Sequence, residues 1–312
     1  MTPTRETGST HRRIATIGMF DGVHNGHMHL LHQLQEKAAE LDARPIVLTF
    51  RRHPANFLSS RTAPSLITEP SLRRDLILAA CPNAECIVMD FSTEDFRATA
   101  SEFIAMLQKK HGISALMMGF NNHIGCDRLT AEELKAAIGQ QNENSSFQVF
   151  EATPFGDDSH NSTTVRDALS KADFATAQSI LGHYFTVRGT VVHGKQLGRK
   201  LGYPTANIEP LAAEQLLPPN GVYAVQVHVK GSTYTGMANI GTRPSVDDGN
   251  KRSFEVHIIG FDSDIYGETI DIDILHRIRD EHHFPDLAAL AMQLEKDRKE
   301  ALRLIPADYS GQ

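Results

Sequence analysis

Along the first half of the chain, short apolar runs of strand length alternate with stretches whose apolar positions recur at helical spacing. Ile14 to Gly18, Ile46 to Phe50, Ile87 to Asp90, Leu116 to Gly119 and Phe147 to Glu151 read as strands, and each of the first four is followed by a helix candidate. In the first helix Leu31, Leu34, Ala38 and Leu41 share one face, and Thr130 to Glu133 reads as a capping box opening another helix. This alternation predicts a doubly wound parallel sheet, in which ligands sit beyond the carboxyl ends of the strands. In the second half the period falls to two. Val225, Val227 and Val229 alternate with Gln226, His228 and Lys230, and Ile270, Ile272 and Ile274 alternate with Asp271 and Asp273. Such strands, joined by turns like Lys230-Gly231-Ser232, predict a small antiparallel β-barrel. Helical spacing returns between Asp286 and Ile305 through Leu287, Leu290, Leu294, Ala301 and Leu304, giving a C-terminal helix that caps or flanks the barrel. The change of period follows the helical stretch ending at Leu181-Gly182, where glycine suits a C-cap. Domains are therefore expected at residues 1–183 and 184–312, an α/β unit followed by a β unit.

Length and charge agree with two domains and narrow the alternatives. A chain of 312 residues is long enough for two hydrophobic cores. The formal net charge is −7 and both halves are acidic, so there is no basic half to meet a nucleic acid backbone, and no nucleic acid partner is expected. Cys81, Cys86 and Cys126 are odd in number and lack zinc-site spacing, which fits a reducing compartment. Met1 to Arg13 has no apolar centre, and no apolar run approaches the roughly 18 residues of a membrane span. A cytoplasmic chain that does not enter the membrane is expected. The composition also holds 16 histidines, with His24, His27, His29 and His32 crowded into one short stretch.

The first two of these four carry a site. Strand Ile14 to Gly18 runs into Met19-Phe20-Asp21-Gly22-Val23-His24-Asn25-Gly26-His27, and a helix follows directly. Glycines allow a tight turn and close approach, and the helix start offers unpaired N–H groups and a positive dipole end, which together suit a phosphate. His24 and His27 would add imidazole donors toward charge developing on a phosphoryl group. A metal reading of the HxxH spacing lacks a completing Cys or well-spaced carboxylate. His29 and His32 lie further into the helix and read as packing or solvent-facing residues.

The string Gly18-x-Phe20-Asp21-Gly22-Val23-His24-x-Gly26-His27 resembles the signature of the HxGH nucleotidyltransferases, and in particular the adenylyltransferase domain of the bacterial bifunctional riboflavin kinase/FAD synthetase family. Thr49-Phe50-x-x-His53-Pro54 resembles that family's TFxxHP strand end, and the helical stretch before Leu181-Gly182 its lead into the second domain. Ser162-Thr163-x-Val165-Arg166 resembles its STxIR motif, where hydroxyls and arginine meet the ATP phosphates ahead of a helix. The resemblance implies nucleotide or flavin contacts for Gly18, Phe20, Asp21, Gly22, Gly26, Asn121, Ser162 and Thr163, and catalytic roles for His24, His27 and Arg166. Gly119-Phe120-Asn121-Asn122-His123-Ile124-Gly125 departs from the family's GxDFxFG stretch, placing Asn122 and Ile124 where aromatic residues are common.

A second string lies in the β-rich half: Gly189-x-Val191-x-x-Gly194-x-x-x-Gly198-Arg199-x-Leu201-Gly202-x-Pro204-Thr205-Ala206-Asn207. Gly189, Gly194 and Lys195 fit P-loop spacing, but Gln196 stands where a P-loop has its Ser/Thr and no strand-loop-helix context surrounds it. Taken alone, Pro204 to Asn207 also reads as an ordinary turn. The whole string resembles the riboflavin kinase domain, whose glycine-rich turn wraps ATP and whose PTAN motif meets Mg²⁺ and phosphate. That resemblance implies nucleotide contacts for Gly189, Gly194, Lys195 and Gly198, and metal and phosphate contacts for Thr205 and Asn207. It continues through Ala238 to Pro244 and from Phe254-Glu255-Val256-His257 to Gly267. Glu255 falls among apolar neighbours on an alternating strand, where a carboxylate either lies on the wet face or takes a proton from an attacking hydroxyl. The resemblance favours the base. The expected enzyme phosphorylates riboflavin to FMN with MgATP in the second domain and adenylylates FMN to FAD, releasing pyrophosphate, in the first. Asn122 and Ile124 keep two alternatives in view, a riboflavin kinase with an impaired first domain and a non-catalytic flavin-binding protein.

Overall fold

The computed structural model describes residues 12–52, 64–90, 97–141, 146–156, 160–194, 198, 201–242 and 252–305. The chain forms two compact units, one comprising Met1–Pro64 and Pro70–Asp158, the other Ser65–Glu69 and Ser159–Gln312.

The first unit holds five strands, β1 (Arg12–Ile17), β2 (Ala43–Phe50), β3 (Glu85–Met89), β4 (Ala115–Met118) and β5 (Gln148–Glu151), all parallel in the order β3-β2-β1-β4-β5. Helices α1 (Asn25–Glu40), α2 (Pro70–Ala80), α3 (Ala100–His111) and α4 (Ala131–Gln141) follow β1 to β4 in turn. Pleating sends successive side chains to opposite faces. Ile14 and Val47 join a cluster with Leu31, Leu34 and Ala38 of α1 and Ile77 of α2, while Ala15, Ile46 and Leu48 join Phe103, Ile104 and Leu107 of α3 and Leu134 of α4. Helices thus cover both faces, the doubly wound arrangement read from the apolar runs. The predicted capping box is present, with Thr130 N donating to Glu133 Oε2 (2.9 Å) and Glu133 N to Thr130 Oγ1 (3.3 Å). Strand order reverses between β1 and β4, which opens a crevice at their carboxyl ends.

The second unit is a closed six-stranded antiparallel barrel, ordered β10-β7-β6-β11-β8-β9, of β6 (Phe185–Val192), β7 (Ala206–Pro210), β8 (Gly221–Val229), β9 (Ser232–Thr242), β10 (Arg252–Ile258) and β11 (Thr269–Arg279). Val225, Val227 and Val229 meet Ile270, Ile272 and Ile274 in its core, as the alternation predicts. Lys230 (φ 51°) and Gly231 (φ 76°) make the two-residue turn between β8 and β9, the positive φ pair a tight hairpin requires. The C-terminal helix α7 (Leu287–Leu304) packs Ala301 with Ala224, Met237 and Leu275 on the barrel's outside.

Packing places the division between units earlier than the change of period does. Helices α5 (Ser162–Ser170) and α6 (Phe174–Leu181) bury Val165, Leu169, Phe174, Ile180 and Leu181 with the barrel residues Phe185, Val187 and Tyr223. A boundary near residue 184 follows secondary structure, whereas these helices share the barrel's core. Gly182 ends α6 in the left-handed conformation, the expected C-cap (φ 79°).

Candidate active sites

At the end of β1 the chain turns through three residues of positive φ, Phe20 (50°), Gly22 (83°) and Val23 (41°). For a β-branched valine this conformation is strained, and such strain persists where surroundings over-determine it. Here Phe20 and Val23 are buried in the α1/α2 core, Val23 N donates to Phe20 O (3.0 Å), and Thr49 Oγ1 of β2 donates to Met19 O (3.0 Å). Phe20 also lies over Gly18, where a Cβ would stand 3.2 Å from its ring. The turn delivers His24 as N-cap of α1, its Nδ1 accepting from His27 N (3.4 Å), which puts the proton of a neutral His24 ring on Nε2. The His24 and His27 rings stack at 3.7 Å, and Phe20 lies 5.1 Å from His27. Burial, and then the charges of His24 and Arg73, hold the His27 imidazole well below the usual histidine range, so at neutral pH it acts as a neutral donor or acceptor. Its Nδ1 is buried and has no hydrogen-bond partner among the described residues. Asp21 is buried beside this turn, and Gly26 lies in the first turn of α1.

The predicted residues of the β4 turn behave differently from one another. Asn121 is exposed, whereas Asn122 Nδ2 donates to Ile17 O (3.2 Å) and so ties the end of β4 to the end of β1 at the crevice. Ile124 is a core residue, paired by backbone with Leu129. The departure from aromatic residues at 122 and 124 therefore has a local structural account. Ser162 and Thr163 open α5 behind the N-cap Asn161, whose Oδ1 accepts from Thr164 N (2.9 Å), and Arg166 Nε donates to Ser65 O (2.8 Å) within the second unit. His53 and Pro54 lie outside the described residues.

In the barrel, β7 and β10 pair antiparallel with Glu255 opposite Asn207, so both side chains leave the same face. Thr205 Oγ1 donates to Glu255 Oε2 at 3.3 Å. Asn207 is buried and packs against Gly194, where a Cβ would stand 2.0 Å from its Nδ2, so a side chain there would require one of the two to shift. A Cβ at Gly198 would stand 2.2 Å from Tyr203 O, and one at Gly189, inside β6, 2.5 Å from Ile208 Cγ2. The glycines of this string thus keep backbone and the Pro204–Asn207 turn in close approach. Lys195, Gln196 and Arg199 lie outside the described residues. Two cavities meet at Thr205. One of about 310 Å³ is lined by Glu255 and by the apolar Phe284, Leu287, Leu290 and Leu294. The other, about 270 Å³, is lined by Val191, Pro204, Ile258, Phe261 and Tyr266, and His193 stacks on Tyr266 at 3.8 Å.

Several residues at these sites were given no role by the sequence. Arg73, fully buried on α2, donates Nη2 to Phe50 O and acts electrostatically on His27; as one of two adjacent arginines on a helix it gave no signal. Phe120 and Phe155, the exposed large apolar residues of the described first unit, follow β4 and β5. His257 was legible in principle, since it stands two residues beyond Glu255 on an alternating strand. It is buried, with its pKa lowered mainly by that burial.

Comparison with known proteins gives the same order of parts. Residues 6–164 match the family described as FAD synthetase and residues 181–305 the family described as riboflavin kinase. The chain is 37% identical over 289 residues to the bifunctional riboflavin kinase/FMN adenylyltransferase of Escherichia coli strain K12, covering 91% of this chain and 90% of that one. It is 34% identical over 286 residues to the protein of the same description from Pseudomonas fluorescens, with the same shares covered. A solved structure described as a macrolide-efflux protein from Streptococcus pneumoniae superposes with a TM-score of 0.81 at 32% identity, covering 94% of this chain and 95% of that one. Among the described residues no helix is long and apolar enough to cross a membrane. With an HxGH turn on a doubly wound sheet, a PTAN turn facing a glutamate on a closed barrel, and both matches in that order, the chain belongs to the bifunctional riboflavin kinase/FMN adenylyltransferase family.

Proposed function

We propose that Glu255 is the base of the riboflavin kinase reaction, carried out on the barrel, and that His24, His27 and Arg166 serve the adenylyl transfer at the doubly wound sheet. The observation that carries this reading is the Thr205–Glu255 contact at the junction of two cavities. The larger cavity's apolar wall suits the isoalloxazine ring, and the other suits ATP. At their junction Glu255 takes the proton of the ribityl 5′-hydroxyl as that oxygen attacks the γ-phosphorus, and the bond to ADP breaks. The Thr205 hydroxyl and the Asn207 amide oxygen are hard oxygen donors beside a carboxylate, a set that fits Mg²⁺ completed by substrate phosphates. Bound there, the ion supplies neutralisation of phosphate charge. Gly189, Gly194 and Gly198 shape the nucleotide turn, and the same string assigns Lys195 to the nucleotide.

In the first site the FMN phosphate attacks the α-phosphorus of a second ATP, and pyrophosphate leaves. A phosphate is already ionised at neutral pH, so this step needs placement and charge stabilisation rather than a strong base. His24, with a proton on Nε2, and the neutral His27 supply hydrogen-bond donors, and the STxIR-like residues Ser162, Thr163 and Arg166 are assigned to the triphosphate. Gly18, Phe20, Asp21, Gly22 and Gly26 shape the turn that receives it, with Asn121 on the β4 side. Phe120 and Phe155 offer the aromatic surface for the flavin. Both reactions draw on ATP, and we assign the chain to the cytoplasm with no nucleic acid partner.

Chromatography of products after incubation with riboflavin, ATP and Mg²⁺ tests this reading. FAD is the expected product. FMN alone would remove the first-site assignment, and neither product would remove both.

A further inference from the structure

We propose that His257 is a positioning residue of the kinase site, holding the peptide that carries Thr205 in place opposite Glu255. The inference rests on the assignment of Thr205 and Glu255 to phosphoryl transfer.

Strand β10 divides its side chains cleanly. Phe254, Val256 and Ile258 enter the barrel core, so Glu255 and His257 share the opposite face. Each of the two reaches the same turn. Glu255 Oε2 accepts from Thr205 Oγ1 at 3.3 Å, and His257 Nδ1 lies 2.8 Å from Pro204 O. A carbonyl oxygen only accepts, so Nδ1 carries the hydrogen whatever the charge of the ring. Pro204 has no N–H of its own. Its carbonyl belongs to the planar peptide unit that continues into Thr205 N and Cα, so fixing that oxygen fixes the plane from which the Thr205 side chain departs.

The surroundings keep the imidazole from rotating away. His257 is buried, and the Tyr203 ring meets it edge-on with centroids 5.3 Å apart. Tyr203 is itself anchored, its N donating to Gly198 O (2.9 Å) and its hydroxyl to Glu295 Oε2 of α7 (2.8 Å). The turn is therefore tied at Tyr203 to the glycine loop and to α7, and at Pro204 to β10. The Thr205–Glu255 contact is at the long end of the hydrogen-bond range, where a small rotation of the peptide plane separates the two groups.

The test compares His257→Ala, His257→Asn and His257→Gln in the full chain. Asparagine places an amide donor near the position of Nδ1; glutamine places one near Nε2. Loss of the tie is expected to lower kcat for riboflavin phosphorylation by about tenfold to a hundredfold in the Ala and Gln variants, with the KM for riboflavin changed far less. Asn is expected to restore kcat to within about threefold of the parent, since it returns the donor. FAD formation from supplied FMN should stay at the parental rate in all three. A parental kcat in His257→Ala overturns the inference. So does an Asn variant as impaired as Gln, which would point to a role for Nε2 or to packing alone. If His257→Ala does not fold, the Asn/Gln contrast decides. Glu255→Gln is the control for the underlying assignment: if it still makes FMN at the parental rate, that assignment fails. If it loses FMN formation while His257→Ala does not, only the present inference fails.

Discussion

At the end of β1 the two imidazoles proposed for adenylyl transfer are set by backbone: a turn with two non-glycine residues at positive φ, locked by buried Phe20 and Val23, seats His24 as a helix cap and stacks His27 on it. On the barrel the proposed base is set across strands, by a side chain on β10 meeting a turn that enters β7. The difference follows from the chemistry each must perform. A phosphate nucleophile arrives ionised and needs placed donors in a rigid frame, whereas a hydroxyl nucleophile needs a carboxylate to accept its proton. The first site therefore buries His24 and the His27 Nδ1, and the second presents Glu255 in the wall of a cavity.

The largest effect should break this comparison on the barrel side. Glu255→Gln removes proton acceptance at nearly unchanged volume and is expected to lower riboflavin phosphorylation by about 10²–10⁴-fold, the usual worth of a general base. FAD synthesis from supplied FMN, read by chromatography in the same preparation, should persist. Equal loss of both products would mean that the two chemistries are not separately housed.

His27→Ala is the converse experiment. Loss of a preorganised donor is expected to reduce FAD formation by about 10²–10³-fold while FMN formation continues. Since the folded environment already keeps His27 neutral, lowering the pH from 7.5 to 6.5 in the parent should leave the FAD rate without a histidine-shaped fall from this residue. An undiminished FAD yield in the variant would remove His27 from the reaction.

The two sites were unequally legible in sequence. Both strand periods, the HxGH turn and the PTAN turn could be read because each is local: a period, or a string whose members act within a few residues of one another. What the sequence concealed is what crosses between elements. Arg73 reaches His27 from α2, and Asn122 rather than Asn121 bridges to β1, because of which strands are neighbours. Helices α5 and α6 read as the end of the α/β half yet share the barrel's core, since helical spacing reveals an apolar face without naming what covers it. Glu255 illustrates both conditions. Its strand was legible, and its neighbour Thr205 was known only as part of another motif fifty residues away.

A smaller effect sharpens the steric side of the comparison. Gly194→Ala would drive a Cβ into the Asn207 amide at 2.0 Å, so the buried asparagine or the glycine turn must move. A displacement of that size is expected to reduce riboflavin phosphorylation by roughly tenfold to a hundredfold, with FAD synthesis from FMN unaffected. Gly231→Ala is the companion, at a position of φ 76° where nothing stands within 4 Å. It should cost stability of about 1 kcal/mol through backbone strain alone and leave both KM values unchanged. A Gly194→Ala enzyme with parental kinase kinetics would show that the close approach is dispensable.

The smallest expected effect concerns pH, where a barrel histidine is shifted opposite to His27. On the outside of the barrel His228 Nε2 lies 2.7 Å from Asp273 Oδ2, and Asp273 Oδ1 accepts from Thr186 Oγ1 at 2.6 Å. The hydrogen bond to Asp273 raises the His228 pKa against partial burial, helped by the charges of Asp273 and Asp271. A histidine whose folded pKa is raised contributes stability that is fully present below its unfolded value, near 6.5, and that disappears as pH climbs through the folded value. His27 has the opposite sign, its contribution being lost as pH falls below about 6.5, when the unfolded ring gains a proton that the folded one refuses. His228→Gln keeps a neutral donor near Asp273 but cannot gain charge, so subtracting its melting temperature from that of the parent isolates the titration. With the His228 side chain 42% exposed, solvent limits the pair to at most about 1 kcal/mol, or about 2 °C at low pH, shrinking toward zero by pH 9. A difference that grows as pH rises would mean that His228 is held neutral and that Asp273 serves Thr186 alone.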